Sequence, residues 1–209
     1  MRDERRVRVL LWTVYAALAV FVLTEKWGQA TSDTRFELTE VPGPHLAGTF
    51  HLWNPEVSLG ELQNQAYGYL FPHGSFFWLA ELAGVPGWLA QRGWSVLLLV
   101  VACEGVRRLA RTLGTSPGAA AHAGLAYGLT PRHVTEIGTR SAEVLPGAVL
   151  PWALLPVVLA AQGRLRPRNA AILSAAAFAC SGGVNGTATA APAALLAVAV
   201  GWTVLTRRL

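Results

Sequence analysis

The chain has 209 residues, of which 53% are hydrophobic and 14% charged, with a mean hydropathy of +0.38. That is too apolar for an ordinary soluble domain and reads as an integral membrane protein. The formal charge of +5 does not single out nucleic acid, because the basic residues sit at the ends of apolar segments and no basic patch carries a nucleic-acid motif.

The N-terminus, MRDERRVRVLLWTVYAALAVFVLTEKWG, has the basic start and apolar run of a signal peptide. LTEKW offers no small-residue cleavage site, so a retained membrane helix is expected over residues 8 to 24. At about 20 apolar residues per span, five more segments follow, at 93 to 109, 117 to 133, 145 to 162, 170 to 185 and 188 to 205. GGVNGTATAAP, between the last two, reads either as a kink or re-entrant loop or as an external turn. With the N-terminus in the cytoplasm, twelve of the 17 basic residues fall inside and only Lys26, Arg35, Arg92, Arg132 and Arg140 outside, which obeys the positive-inside rule at every loop.

The expected architecture is therefore all-α and polytopic, a single membrane domain over residues 1 to 209 with a long extracytoplasmic first loop at 25 to 92. Within that loop, GSFFWLAELAGVPGWLAQRGW, residues 74 to 94, reads as an interfacial helix with Phe76, Phe77, Trp78, Trp88 and Trp94 at headgroup depth. Cys103 and Cys180 lie in apolar segments and read as small buried hydrophobes. Glu104, near the inner end of the second span, is spaced to pair with Arg107 and Arg108. Gly124 and Gly128 have the spacing that lets helices approach closely.

Three patches of the outer face carry chemistry. Asp33, in ATSDTRFELTEVPGP, is a carboxylate just beyond the first span, suited to act as general base on a hydroxyl, with Arg35 beside it to bind phosphate or hold its charge. The competing structural role is helix capping, since Thr34 and Glu37 have capping-box spacing. HLWNPEVSLGELQNQAYGYLFPHG, residues 51 to 74, concentrates His51, Trp53, Asn54, Gln63, Asn64, Gln65, Tyr67, Tyr69 and His73. Amides that bond hydroxyls and rings that stack on sugars make a saccharide site, while the same residues also make a packed loop with an aromatic belt. TPRHVTEIGTRSAEVLPG, residues 130 to 147, offers Arg132, His133 and Arg140 for an anion, against Arg132/Glu136 and Arg140/Glu143 ion pairs. The five histidines show no metal-ligand spacing with acids or cysteines.

The order of these features is similar to a known family. A first span followed by SDTRFELT, HLWNP, QNQAYGYLFPHGSFFWL, GVPGWLAQRGW and LTPRHVTEIGTRSAEVLPGAVLPWALLPVVL resembles the N-terminal membrane region of the actinobacterial alpha-(1->3)-arabinofuranosyltransferases, from about residue 7 to 200. The resemblance implies the GT-C class of polytopic membrane glycosyltransferases. It implies transfer of arabinofuranose from decaprenyl-phosphate-arabinose to a hydroxyl of a cell-wall arabinan on the outer face of the cell membrane. No nucleotide sugar or other cofactor is implied, and a divalent metal is left open. By the resemblance Asp33 is the catalytic base, with Glu37 or Glu136 to supply a second acid. The same resemblance implies that Asn64, Gln65, Tyr67, Tyr69 and His73 contribute to the acceptor or donor cavity and that Arg132, His133 and Arg140 meet the polyprenyl phosphate, with Arg35 a further substrate-binding residue by its place beside Asp33. Family members are several times longer, so the chain is expected to be the N-terminal part of a larger domain. The alternative is a non-catalytic membrane module that binds polyprenyl lipid or stabilises a cell-envelope assembly.

Overall fold

The computed structural model describes residues 2–55, 59–62 and 66–206, apart from the side chains of Arg2 and Glu61. Its elements in chain order are α1 (Arg2–Thr24), α2 (Glu37–Glu40), α3 (Pro42–Gly48), a two-residue antiparallel ladder of β1 (Trp53–Asn54) with β2 (Glu61–Leu62), then α4 (Ser75–Leu82) after a helical-turn segment over Ala66–Gly74. There follow α5 (Gly87–Thr112), α6 (Pro117–Gly128), α7 (Pro131–Glu136), α8 (Ser141–Ala161), α9 (Pro167–Ala179) and α10 (Gly186–Leu205). The all-α, multi-helix expectation holds.

Among the described residues, four helices are long and apolar enough to cross a membrane: Asp3–Thr24, Gly87–Thr112, Ser141–Ala161 and Gly186–Leu205. Six were expected, and the difference lies in α6 and α9. They have 12 and 13 residues and rise only about 18 to 20 Å each at the helical pitch. The segment expected at 117 to 133 stops early because Pro131 pushes Thr130 to an extended backbone (φ −58°, ψ 148°) and a new short helix starts there. The segment expected at 170 to 185 stops at Ala179 because Gly182 and Gly183 take φ of 78° and 87°. GGVNG is thus a turn between two helices, closed by the Asn185 side chain, whose Oδ1 accepts from Ala188 N at 3.0 Å.

The centre of the bundle is α5 packed on α8, flanked by α6 on one and α9 on the other, while α1 and α10 leave most of their apolar surface open. Their contact core is Trp94, Leu98, Leu99, Ala102, Val144, Leu145 and Ala148. Helices α5 and α6 approach closely where Gly124 and Gly128 face Cys103, since a Cβ at either glycine would collide with the Cys103 backbone oxygen or sulfur. Trp94 is one of the most buried side chains, and α5 begins at Gly87. The interfacial helix expected at 74 to 94 is therefore two helices broken at Gly84 to Pro86, and Trp94 and Phe77 belong to the core rather than to a headgroup belt. The broken segment reverses the chain so that α4 and the aromatic loop before it lie against the first turns of α5.

The long first loop gathers with the 129 to 140 and 180 to 185 connections at one end of the bundle, as the Asp33–Ser141 and Gly68–Val184 contacts show. The 113 to 116 and 162 to 166 turns and the N-terminus lie at the other, joined by Gln162 Nε2 donating to Thr112 O and by the Glu4–Arg111 pair. There Glu104 accepts from Arg107 at 2.6 Å through both carboxylate oxygens and from Arg108 at 2.8 Å, the pairing its spacing predicts.

Candidate active site

The segment leaving α1 is held by side chains from the start of α5. Gln91 is buried and grips the Thr31 backbone on both sides, with Thr31 N donating to its Oε1 and its Nε2 donating to Thr31 O, each at 2.7 Å. Arg92, also buried, donates to Gln29 O at 3.3 Å and lies 3.9 Å from Glu25. These bonds fix the chain two residues before Asp33.

Asp33 does not cap the helix that follows it. Helix α2 opens at Phe36 without a side-chain cap. The carboxylate instead reaches across 108 positions to the N-terminus of α8. Oδ1 accepts from Thr34 N at 2.6 Å, from Ser141 N at 3.2 Å and from Thr34 Oγ1 at 3.3 Å, and Oδ2 accepts from Ser141 Oγ at 2.5 Å. Ser141 N is one of the unpaired amides of the first helical turn, so the positive end of a 21-residue helix faces an anion here.

Behind Ser141 lies His73, whose Nε2 is 3.2 Å from Ser141 Oγ. The imidazole is 4% exposed. It is stacked on Trp94 at 4.8 Å between centroids and 11° between planes, with Tyr69 and Phe77 at 5.6 and 5.4 Å. Burial among these rings pushes His73 down to about 4, against the opposing pull of Asp33. Burial likewise pushes the Tyr69 hydroxyl up to about 12, and Arg35, Asp33 and Glu143 all act on it electrostatically. The loop that carries Tyr69 is seated by Gly68, where any Cβ would meet the Val184 backbone at 2.9 Å.

Two cavities are lined in part by close sequence neighbours of this centre. One, of about 750 Å³, is lined by Arg35, Glu37, Val41, Pro44, His45, Gly48, His51, Trp53, Asn54 and Pro55. Trp53 is half exposed and its ring lies over Gly60, an aromatic face of the kind that stacks on sugars. The other, of about 540 Å³, runs between α8 and α10. Its head is polar, with Thr130, Arg132, His133, Glu143 and Asn185, and its stem is apolar, with Val144, Leu150, Ala191, Pro192 and Leu195. Arg35, which lines the first, is two residues from Asp33; Glu143, which lines the second, is two residues from Ser141.

The expected site residues fall into separate places. Asp33 and Arg35 stand at the centre. Tyr67 is exposed, whereas Tyr69 and His73 are buried behind Ser141 and Thr34 rather than open to a cavity. Asn64 and Gln65 lie outside the described residues. Arg132 and His133 line the second cavity. Arg132 pairs with Glu136 at 3.2 Å, as its spacing predicts. Arg140 pairs with Glu136 at 3.4 Å, not with Glu143, because α7 ends before it and the chain turns back at Arg140. Glu136 is thereby committed to two arginines, while Glu37 lines the first cavity. His133 Nδ1 faces Tyr127 O at 3.0 Å; a carbonyl only accepts, so Nδ1 carries the proton and Nε2 is left as an acceptor. Burial lowers the pKa of His133, so it offers a phosphate neither charge nor a free ring N–H. Among the described residues no group of three or more His, Cys, Asp or Glu is placed to hold a metal ion. Gln91 and Ser141 have no local signal in the sequence, since each acts through a contact 60 or more residues away.

Residues 17–209 match the family described as alpha-(1->3)-arabinofuranosyltransferase, N-terminal GT-C domain. The chain belongs to this family. The alpha-(1->3)-arabinofuranosyltransferase of Mycolicibacterium smegmatis is 46% identical over 177 residues, covering 84% of this chain and 12% of the relative. That of Mycobacterium tuberculosis is 41% identical over 187 residues, covering 88% and 13%. The cryo-EM structure of arabinofuranosyltransferase AftD from Mycobacteria superimposes with a TM-score of 0.86 at 42% identity, over 91% of this chain and 15% of that one. The chain thus spans 12–13% of the length of these curated relatives. The matched residues belong to an N-terminal GT-C domain, and the chain is a multi-pass membrane protein.

Proposed function

We propose that this GT-C segment carries the base and part of both substrate cavities of an enzyme that transfers arabinofuranose from decaprenyl-phosphate-arabinose to a hydroxyl of a cell-wall arabinan. The reaction runs at the extracytoplasmic face of the membrane, in the loop between residues 25 and 92 and the helix ends beneath it. One observation carries this reading: the Asp33 carboxylate is fixed to Ser141 at the N-terminus of α8, two residues from Arg35 on the wall of an aromatic cavity, while Ser141 is two residues from Glu143 on the wall of a polar-headed apolar groove.

The shapes of the two cavities suit two different substrates. The groove between α8 and α10 has an apolar stem for a polyprenyl chain and Arg132 at its head for the phosphate. Arg140, on the exposed side of Glu136, adds charge at the same end. The larger cavity offers Trp53, His51, Asn54 and Arg35, the rings and hydrogen-bonding groups that a polysaccharide acceptor needs.

In the reaction Asp33 takes the proton of an acceptor hydroxyl as its oxygen forms a bond to the anomeric carbon. The anomeric C–O bond to phosphate breaks and its electron pair leaves with polyprenyl phosphate. General-base assistance of this kind contributes roughly 10²- to 10⁴-fold in rate. The test is transfer of labelled arabinose from decaprenyl-phosphoryl arabinose by full-length enzyme in detergent or nanodiscs. An Asp33→Asn enzyme that still transfers at the normal rate overturns the assignment.

A further inference from the structure

We propose that Asp33 Oδ2 is the atom that receives the acceptor proton, and that Ser141 and His73 are positioning residues which hold it through a one-way hydrogen-bond chain from His73 Nε2 through Ser141 Oγ. The inference rests on the reading of Asp33 as base and adds which oxygen reacts and what holds it.

The choice of oxygen follows from counting donors. A carboxylate oxygen has two lone-pair sites. Oδ1 receives three donors, Thr34 N, Ser141 N and Thr34 Oγ1, and is saturated. Among the described residues Oδ2 receives only Ser141 Oγ, which leaves one of its lone pairs for a substrate hydroxyl.

The direction of the chain follows from the single proton on a serine hydroxyl. At 2.5 Å from an ionised carboxylate, which only accepts, Ser141 must spend that proton on Oδ2. Ser141 Oγ then acts as acceptor toward His73 Nε2 at 3.2 Å, which fixes the imidazole with its proton on Nε2. The other ring nitrogen, Nδ1, is buried and has no hydrogen-bond partner among the described residues, as expected of the bare acceptor of that tautomer. The rings of Trp94, Tyr69 and Phe77 keep the imidazole neutral, so it serves as a fixed N–H dipole rather than as an acid or base. A cation at that place would pair with Asp33 and occupy the base; a neutral donor polarises Ser141 and leaves Oδ2 reactive.

Neither side chain is placed to touch substrate. Ser141 is 1% exposed and His73 is as buried as the core around it. The other titratable groups packed round the carboxylate are Arg35 on its own segment, Tyr69 on the aromatic loop and Glu143 on α8, whose fields meet at the Tyr69 hydroxyl. None of the three is removed by the substitutions below.

The experiment compares Ser141→Ala, His73→Gln, His73→Leu and Asp33→Asn in full-length enzyme, with kcat and KM for the acceptor measured for each. Ser141→Ala removes one oxygen from a site that tolerates alanine sterically, and a size-exclusion profile checks the fold. Loss of a hydrogen bond to a charged group is expected to lower kcat by about 10- to 100-fold, with KM within about 3-fold. His73→Gln puts an amide N–H near the place of Nε2 and retains more activity than His73→Leu. Wild-type kcat in Ser141→Ala, alongside an inactive Asp33→Asn, overturns the positioning proposal alone. A loss in Ser141→Ala that falls on KM rather than kcat, or that follows a loss of folded protein by size exclusion, shows a merely structural serine and overturns it as well. Full activity in Asp33→Asn overturns the base reading and this proposal with it.

Discussion

Asp33 and Glu104 are carboxylates at opposite ends of the same bundle, each bound to a helix in its core, and their surroundings differ in kind. Glu104 meets two guanidinium groups, with both oxygens engaged by Arg107 and one also by Arg108. Asp33 meets two backbone amides and two hydroxyls and no cation within ion-pair distance among the described residues. Guanidinium groups cancel a carboxylate's charge and take its lone pairs, which ties the end of a span together. Dipoles stabilise the same charge without cancelling it and leave Oδ2 one open lone pair. The first arrangement is a fastening, and the second is what a base requires.

The sharpest way to break this comparison is to neutralise both acids separately. Asp33→Asn in full-length enzyme is expected to lose roughly 10²- to 10⁴-fold of arabinosyl transfer, while its Tm in detergent stays near that of the parent. Equal activity in the labelled-donor assay removes the distinction. Next in size is the support beneath Asp33. Gln91→Ala leaves Thr31 N and Thr31 O without the partner they now share, and the loosened segment is expected to lower kcat about 10-fold or more, the order of a misplaced catalytic group. A kcat unchanged by that substitution shows that Thr34 and Ser141 alone hold the base.

The helical frame was legible because apolar runs bounded by arginines record the membrane directly, and four of the spans appear where hydropathy places them. The ends of α6 and α9 were misjudged because Pro131 and the Gly182–Gly183 pair act on backbone angles that hydropathy does not see. The place of Asp33 just beyond the first span was legible from the order of segments, and the Glu104 pairs from helical spacing. The aromatic loop was read at the wrong depth. Tyr69, His73 and Trp94 have the composition of a sugar platform, yet they form a buried stack that supports Ser141, while Trp53 keeps its exposed face. Contacts such as Asp33–Ser141 leave no local trace, since nothing in either segment's pattern depends on the other, 108 residues away.

His73 provides a test of depth that is independent of activity. Burial pushes its pKa from the ordinary 6.5 down to about 4 in the folded protein. The unfolded chain therefore binds a proton first, and the stabilising effect of the neutral buried ring is present above pH 6.5 and lost as pH falls through about 4. Tm of the parent should drop by several degrees across that window, and the His73→Gln variant should lack that component. Parallel Tm curves for the two proteins mean that His73 is hydrated rather than buried.

Trp53→Ala addresses the exposed aromatic that remains. Its ring covers Gly60 at the wall of the larger cavity, so its loss is expected to raise KM for a polysaccharide acceptor severalfold with little change in kcat. A pure kcat effect would place Trp53 nearer the reacting atoms than the geometry does.

The smallest effect belongs to the other carboxylate. Glu104→Gln keeps the shape of the side chain and can still accept one bond from Arg107 or Arg108, so its cost is that of a partly exposed ion pair, about 1 kcal/mol. Transfer should stay within about twofold of the parent, because no atom of the Glu104 cluster reaches the Asp33 end. Arg108 also lies over the Trp152 ring at 4.9 Å, which keeps its guanidinium seated when the carboxylate is gone. A loss of transfer as large as that of Asp33→Asn, without a matching fall in Tm, would mean that the two ends of the bundle are coupled, and the contrast between a fastening and a base would have to be given up.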